Sequence, residues 1–120
     1  MRPKIEDAWF GSITVEGNRY EHDIIIRLSG KVRRRNKQLS KAVYGTSHIL
    51  SLAEIKDLHR KRAERLIIGA GFEGQAHLSP EAAEFLEKKG CRVDLSPTPE
   101  AIACWNEAEG NVIALFHLTC

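Results

Sequence analysis

The chain has 120 residues, 42% of them hydrophobic and 28% charged, with a formal net charge of +2. That length suits one domain spanning residues 1–120 with a core of its own, and so small a charge gives no pointer to nucleic acid. No stretch approaches the roughly 20 apolar residues of a membrane span. Met1–Asp7 lacks a signal-peptide core, and Cys91, Cys104 and Cys120 are too scattered for a metal or disulfide framework. A cytoplasmic location, no membrane association, no metal and no cofactor are the expectations.

Phe10–Val15 reads as a strand, with Ile13 and Val15 alternating against Ser12 and Thr14. Gly17-Asn18 suits a two-residue hairpin loop. Tyr20–Leu28 follows as a second strand, Ser29-Gly30 as a turn, and Lys31–Arg35 as a short return strand. Lys31–Ser47 is the one long loop expected, and loops of that length are functional or loosely ordered.

The pattern then changes. Ser51 and Glu54 form a capping-box signature, and Leu52, Ile55 and Leu58 share one face of the helix that follows, expected to run on to Arg65. Leu66–Gly69 is a short buried-type strand. Ser79-Pro80-Glu81 opens a second helix, with Ala82, Phe85 and Leu86 inward and Gly90 at its close. Arg92–Leu95 is the next strand. Thr98-Pro99-Glu100 repeats the start chemistry for a third helix, and Val112–Leu118 is the last strand. The order predicts an α/β three-layer sandwich with a mixed central sheet: an N-terminal antiparallel β-meander, then three helix–strand units.

Gly69-Ala70-Gly71-Phe72-Glu73-Gly74 matches the GxGxxG fingerprint. Its helix should begin at the last glycines, so that amides hold a pyrophosphate. Here the start signals lie at Ser79-Pro80, so a tight glycine turn is the better reading. Thr46, Ser47 and His48 are compact polar groups just before a helix start, where anions bind readily. The basic stretch Lys31, Arg33, Arg34, Arg35, Lys37 and Lys41 has no acid in it. Without interleaved aromatics it reads as a charged edge or a small-anion contact, led by Arg34 and Arg35, rather than a nucleic-acid surface. The ending His117-Leu118-Thr119-Cys120 follows an unbroken apolar run. In a continued strand His117 and Thr119 face one way and Cys120 the other, so a thiol–imidazole pair needs the strand to break.

Three blocks carry a family resemblance: Tyr44-Gly45-Thr46-Ser47-His48, Ile67-Ile68-Gly69-Ala70-Gly71, and Ala114–Cys120, with Phe10-Gly11 and Arg34-Arg35 in support. On these the chain resembles the Mth-domain family, in its archaeal and bacterial branch. Eukaryotic relatives include complex I assembly factor 3 and the adipogenesis-associated Mth-domain protein. The resemblance implies a three-layer α/β fold and no established catalysis or cofactor. In the eukaryotic relatives it implies assembly and regulatory roles through protein contacts.

The resulting expectation is a non-catalytic binding or assembly module for a protein partner or a small anionic ligand. Ser47, His48, Gly69, Gly71, His117, Thr119 and Cys120 would line its pocket beyond the strand ends, and Arg34 and Arg35 would rim it. The alternatives are an enzyme using His117 and Cys120, or a phosphate or nucleic-acid binder through Lys31–Lys41. Self-association is open, since a meander leaves strand edges uncovered.

Overall fold

A computed structural model describes residues 2–120. Strands β1 (Ile5–Trp9), β2 (Ser12–Val15) and β3 (Asn18–Tyr20) form a small antiparallel sheet. β1 is a strand that the sequence did not signal, because Ile5 is its only buried residue. Phe10 and Gly11 are the turn into β2 and not its first residues, since Trp9 pairs with Ser12. The next turn is centred one residue earlier than expected. Glu16 and Gly17 both have positive φ, 48° and 81°, between the paired Val15 and Asn18. Two successive positive φ angles suit the right-handed strand twist of a tight hairpin.

The expected strand Tyr20–Leu28 is broken. After β3 the chain bends at residues 21–23 and enters a second sheet as β4 (Ile24–Ile26). β5 (Val32–Arg34) returns beside it. The expected long loop holds this strand and also α1 (Gln38–Tyr44). That helix escaped notice because its buried residue is Ser40 and its Val43 is exposed. β6 (Ile49–Leu50) leads into α2 (Leu52–Leu58), and β7 (Arg65–Ala70) follows. α2 thus ends well before Arg65. β8 (His77–Leu78) makes a two-residue parallel ladder with β6. α3 (Pro80–Lys88), β9 (Arg92–Ser96), α4 (Thr98–Glu107) and β10 (Val112–His117) complete the chain.

The five-stranded sheet has the order β5-β4-β10-β7-β9. β10, β7 and β9 are parallel, and β4 and β5 are antiparallel to their neighbours. Side chains alternate across it. Ile24, Ile26, Ile67, Ala114 and Phe116 meet Ala101 and Trp105 of α4 and Ile5, Ile13 and Val15 of the small sheet. Ile25, Leu66, Ile68, Ile113 and Leu115 meet Ile55 and Leu58 of α2 and Ala82 and Leu86 of α3. The result is three layers around a mixed sheet whose central strand, β10, is buried along its whole length.

Candidate functional site

Strand register assembles the site. Phe116 of β10 lies opposite Ile24 of β4, and Ile24 opposite Arg34 of β5. One step further out, His117, Asp23 and Arg35 fall in a row across the ends of three neighbouring strands. The backbone continues the pairing there, since Arg35 N–H donates to Asp23 O at 3.0 Å. All three side chains lie on the face covered by α2, and all are buried.

Asp23 is the hub. Its Oδ2 accepts from His117 Nδ1 at 2.8 Å and from Arg35 Nη1 at 2.9 Å. Its Oδ1 accepts from Leu118 N–H at 2.9 Å, the first amide beyond β10, which would otherwise lack a partner. Lys37 Nζ stands 3.7 Å away. Burial pushes the Asp23 carboxyl up, but the hydrogen bond and charge of His117, the Leu118 amide and Lys37 overcome it and hold the group at about 2. An ionised carboxylate only accepts, so His117 carries a proton on Nδ1. Its Nε2 lies within hydrogen-bond distance of the Thr119 hydroxyl, at 3.1 Å. His48 packs edge-on against His117, with ring centroids 5.2 Å apart. Its own pKa is lowered by burial and by the charges of His117, Arg35 and Lys37.

Arg35 is spent inside the protein. Its Nε donates to Glu54 Oε2 at 2.5 Å, and its Nη2 to Ser47 O at 2.6 Å and Glu54 Oε1 at 3.1 Å. Glu54 also accepts from Ser40 Oγ at 2.5 Å. The expected capping box is therefore half made. Ser51 Oγ accepts from Glu54 N–H, but Ser51 N–H donates to Ser40 Oγ and the Glu54 carboxylate turns inward to Arg35.

The glycine-rich turn meets the same row from the other side. Phe72 N–H donates to Thr119 O at 2.7 Å, and Glu73 and Gln75 N–H donate to Cys120 O at 3.0 and 3.1 Å. The amides that a phosphate would need are engaged by residues 119 and 120. A Cβ on Gly71 would strike Cys120 and come within 2.8 Å of His117 Cδ2; on Gly69 it would meet Phe116 at 2.8 Å. Thr98 does not cap its helix. Its hydroxyl accepts from Gly71 N–H at 3.0 Å and donates to His117 O at 2.6 Å, clamping turn to strand end.

Ser47, His48, Gly71, His117, Thr119 and Cys120 thus come together, with Gly69 packed into the layer beneath. His48 packs on His117, His117 bonds Thr119, Gly71 abuts Cys120, and Ser47 joins them through Arg35; none of them lines the adjacent cleft. That cleft, about 530 Å3, is lined by His22, Asp23, Arg34, Arg35, Asn36, Lys37, Gln38 and Lys41. Arg34 is exposed there, whereas the buried Arg35 guanidinium has its donors engaged within the protein. The imidazole's partners are Asp23 and Thr119, so His117 has no thiol partner in Cys120. Asp23, Glu54 and Ser40 were not legible as members of this cluster, because only the strand register and the seat of α2 bring them in.

Above the cluster lies an aromatic surface. Gly11 N–H donates to Leu118 O at 2.7 Å. This ties the β1–β2 turn to the C-terminal segment and sets Phe10 against Phe72, with centroids 6.1 Å apart. Trp9 and Phe10 are 70% and 63% exposed.

A family model described as a protein of unknown function (DUF498/DUF598) matches residues 5–117, and the chain belongs to that family. It is 34% identical to the conserved hypothetical protein PH1505 from Pyrococcus horikoshii OT3; the match covers 98% of this chain and 99% of that one, with a TM-score of 0.91. The structure called MT938 is 33% identical, over 98% and 99% of the two chains, with a TM-score of 0.84. The solution structure of a Mth938-like domain from Bordetella pertussis shares the fold at 17% identity, with 97% and 85% coverage and a TM-score of 0.64. The Mth-domain resemblance read from the sequence agrees with these matches. Among the described residues no helix is long and apolar enough to cross a membrane.

Proposed function

We propose that this chain is a single-domain, non-catalytic binding module of the cytoplasm, and that it docks a different protein on the surface formed by Trp9, Phe10 and Phe72. The observation that carries this reading is the exposure of two consecutive large aromatics, Trp9 and Phe10, at 70% and 63%. Large aromatics left in water are disfavoured, and they are the side chains that dominate protein contacts. Their foundation supports the same reading. The turn bearing them is hydrogen-bonded to Leu118, and Leu118 to buried Asp23. A surface held in place before binding loses little freedom on docking. A photo-crosslinking benzoylphenylalanine at Phe10, introduced in cells, tests this. The expected result is one discrete adduct that a probe at exposed Leu95 does not give. Equal adducts at both positions, an adduct of twice the chain's mass, or none would overturn it.

A second reading has its own observation. Arg34, Lys37 and Lys41 converge on the cleft beside Asp23, and the Asp23 charge is already met by Arg35. Lys37 also pairs with Asp23 at 3.7 Å, so Arg34 and Lys41 are the cations the cleft offers a small anion. Phosphate should then shift the amides of residues 34–41 in a saturable way; unsaturable shifts would exclude specific binding.

A further inference from the structure

We propose that a second cleft, between the C-terminal ends of α2 and α3, binds a polyphosphate, either free or as the phosphate chain of a nucleotide. This site is independent of the docking surface above and shares no residue with it.

The cleft has a volume of about 710 Å3 and is lined by Lys56, His59, Lys61, Phe85, Lys88 and Lys89. That is the size of a small-ligand site. Four of those residues are lysines and none is acidic. Cations at helix C-termini are ordinary, because each end carries about half a negative charge. Magnitude decides against that as the whole explanation. The two helix ends supply about one negative charge between them, and Glu84 offsets Lys88 across an exposed 3.7 Å pair. About two positive charges remain without a counter-ion in one concave space.

The walls hold these charges in place. The Nζ atoms of Lys56 and Lys89 each stand 5.6 Å from the centre of the Phe85 ring, within cation–π range. Phe85 also takes the edge of the His59 ring, with centroids 5.3 Å apart. His59 Nε2 is buried and has no hydrogen-bond partner among the described residues. Burial, with the charges of Lys89 and Arg60 beside it, lowers the pKa of His59.

Charge density selects the ligand. Ammonium groups are point charges that pair with carboxylate and phosphate alike, and a phosphate chain packs negative charge more densely than a peptide does. The adjacent Arg60 is turned away, donating to the carbonyls of Asp57 and His59. An open cleft with four clustered, exposed lysines and no acid in its lining therefore suits a compact, densely charged chain of phosphates better than an acidic peptide or an extended nucleic acid.

Amide NMR of the full chain, titrated separately with inorganic triphosphate and with ATP, tests the assignment. The expected result is saturable shifts centred on residues 56–61 and 85–89, weakening steeply with salt. The exposed double change Lys88→Glu, Lys89→Glu should weaken binding at least about tenfold while the rest of the spectrum is kept. Equal affinities would assign the site to free polyphosphate; tighter ATP would assign it to a nucleotide. Absent or unsaturable shifts, shifts confined to residues 34–41, indifference to the double change, or tighter binding of an RNA oligonucleotide would overturn the proposal.

Discussion

Asp23 and His117 are 94 positions apart in the chain and 2.8 Å apart in the fold. The pairing follows from the antiparallel register of β4 on β10, which brings the residue before one strand against the last residue of the other. That carboxylate holds the imidazole, the Leu118 amide and the Arg35 guanidinium at once, so the strand ends and the C-terminal segment are ordered as one unit.

Acid should expose this dependence. Asp23 is held at about 2 against an ordinary 3.8. A carboxyl depressed by folding contributes stability above its unfolded value, and loses it as pH falls through the folded one. The contribution is about 2 kcal/mol, lost between about pH 4 and about pH 2. Urea unfolding at both ends of that range should show wild type losing about 2 kcal/mol more than Asp23→Asn. Parallel losses would remove Asp23 as the acid-sensitive group.

Arg34 and Arg35 are neighbours with opposite roles. Arg35→Met strands the buried carboxylates of Asp23 and Glu54 and should cost about 3–5 kcal/mol. Arg34→Met, at an exposed position, should stay within about 0.5 kcal/mol. Denaturant midpoints on both variants check the contrast, and similar values would contradict the buried pairing.

Two glycines separate backbone conformation from space. Gly11 has φ +89° with nothing near a new Cβ, while Gly71 has φ +96° with Cys120 and His117 in the way. Gly11→Ala should cost about 1–2 kcal/mol, from conformation alone. Gly71→Ala should cost at least about 2 kcal/mol more and shift the Thr119 amide. Equal costs would mean that the turn does not press on the C-terminal segment.

Burial pushes the Cys91 thiol up to about 11 from 9.0. The thiolate is the reactive form, so the folded protein holds about a hundredfold less of it there than the unfolded chain at neutral pH. Iodoacetamide should label half-buried Cys104 and Cys120 first and reach Cys91 only after unfolding. Early labelling of Cys91 would contradict its place in the core.

Local signals carried most of the architecture. Ser79-Pro80 starts α3 because cap, proline and acid act within one turn, and the apolar runs at β7 and β10 are buried strands. Signals failed where tertiary partners decide. Thr98 carries cap chemistry, but Gly71 and the His117 carbonyl claim its hydroxyl. Gln38–Tyr44 is helical without an apolar stripe to announce it. Residues 117–120 could be singled out from composition and order. Asp23 and Glu54 could not, since no spacing along the chain encodes which strand ends lie side by side.

The docking surface is tested most directly by titration calorimetry against the protein captured through Phe10, comparing Trp9→Ala, Phe10→Ala and Leu95→Ala. The expected result is at least about a tenfold loss of affinity for each of the first two and no change for the third. Unchanged affinity in Trp9→Ala and Phe10→Ala would contradict the aromatic surface as the site of contact.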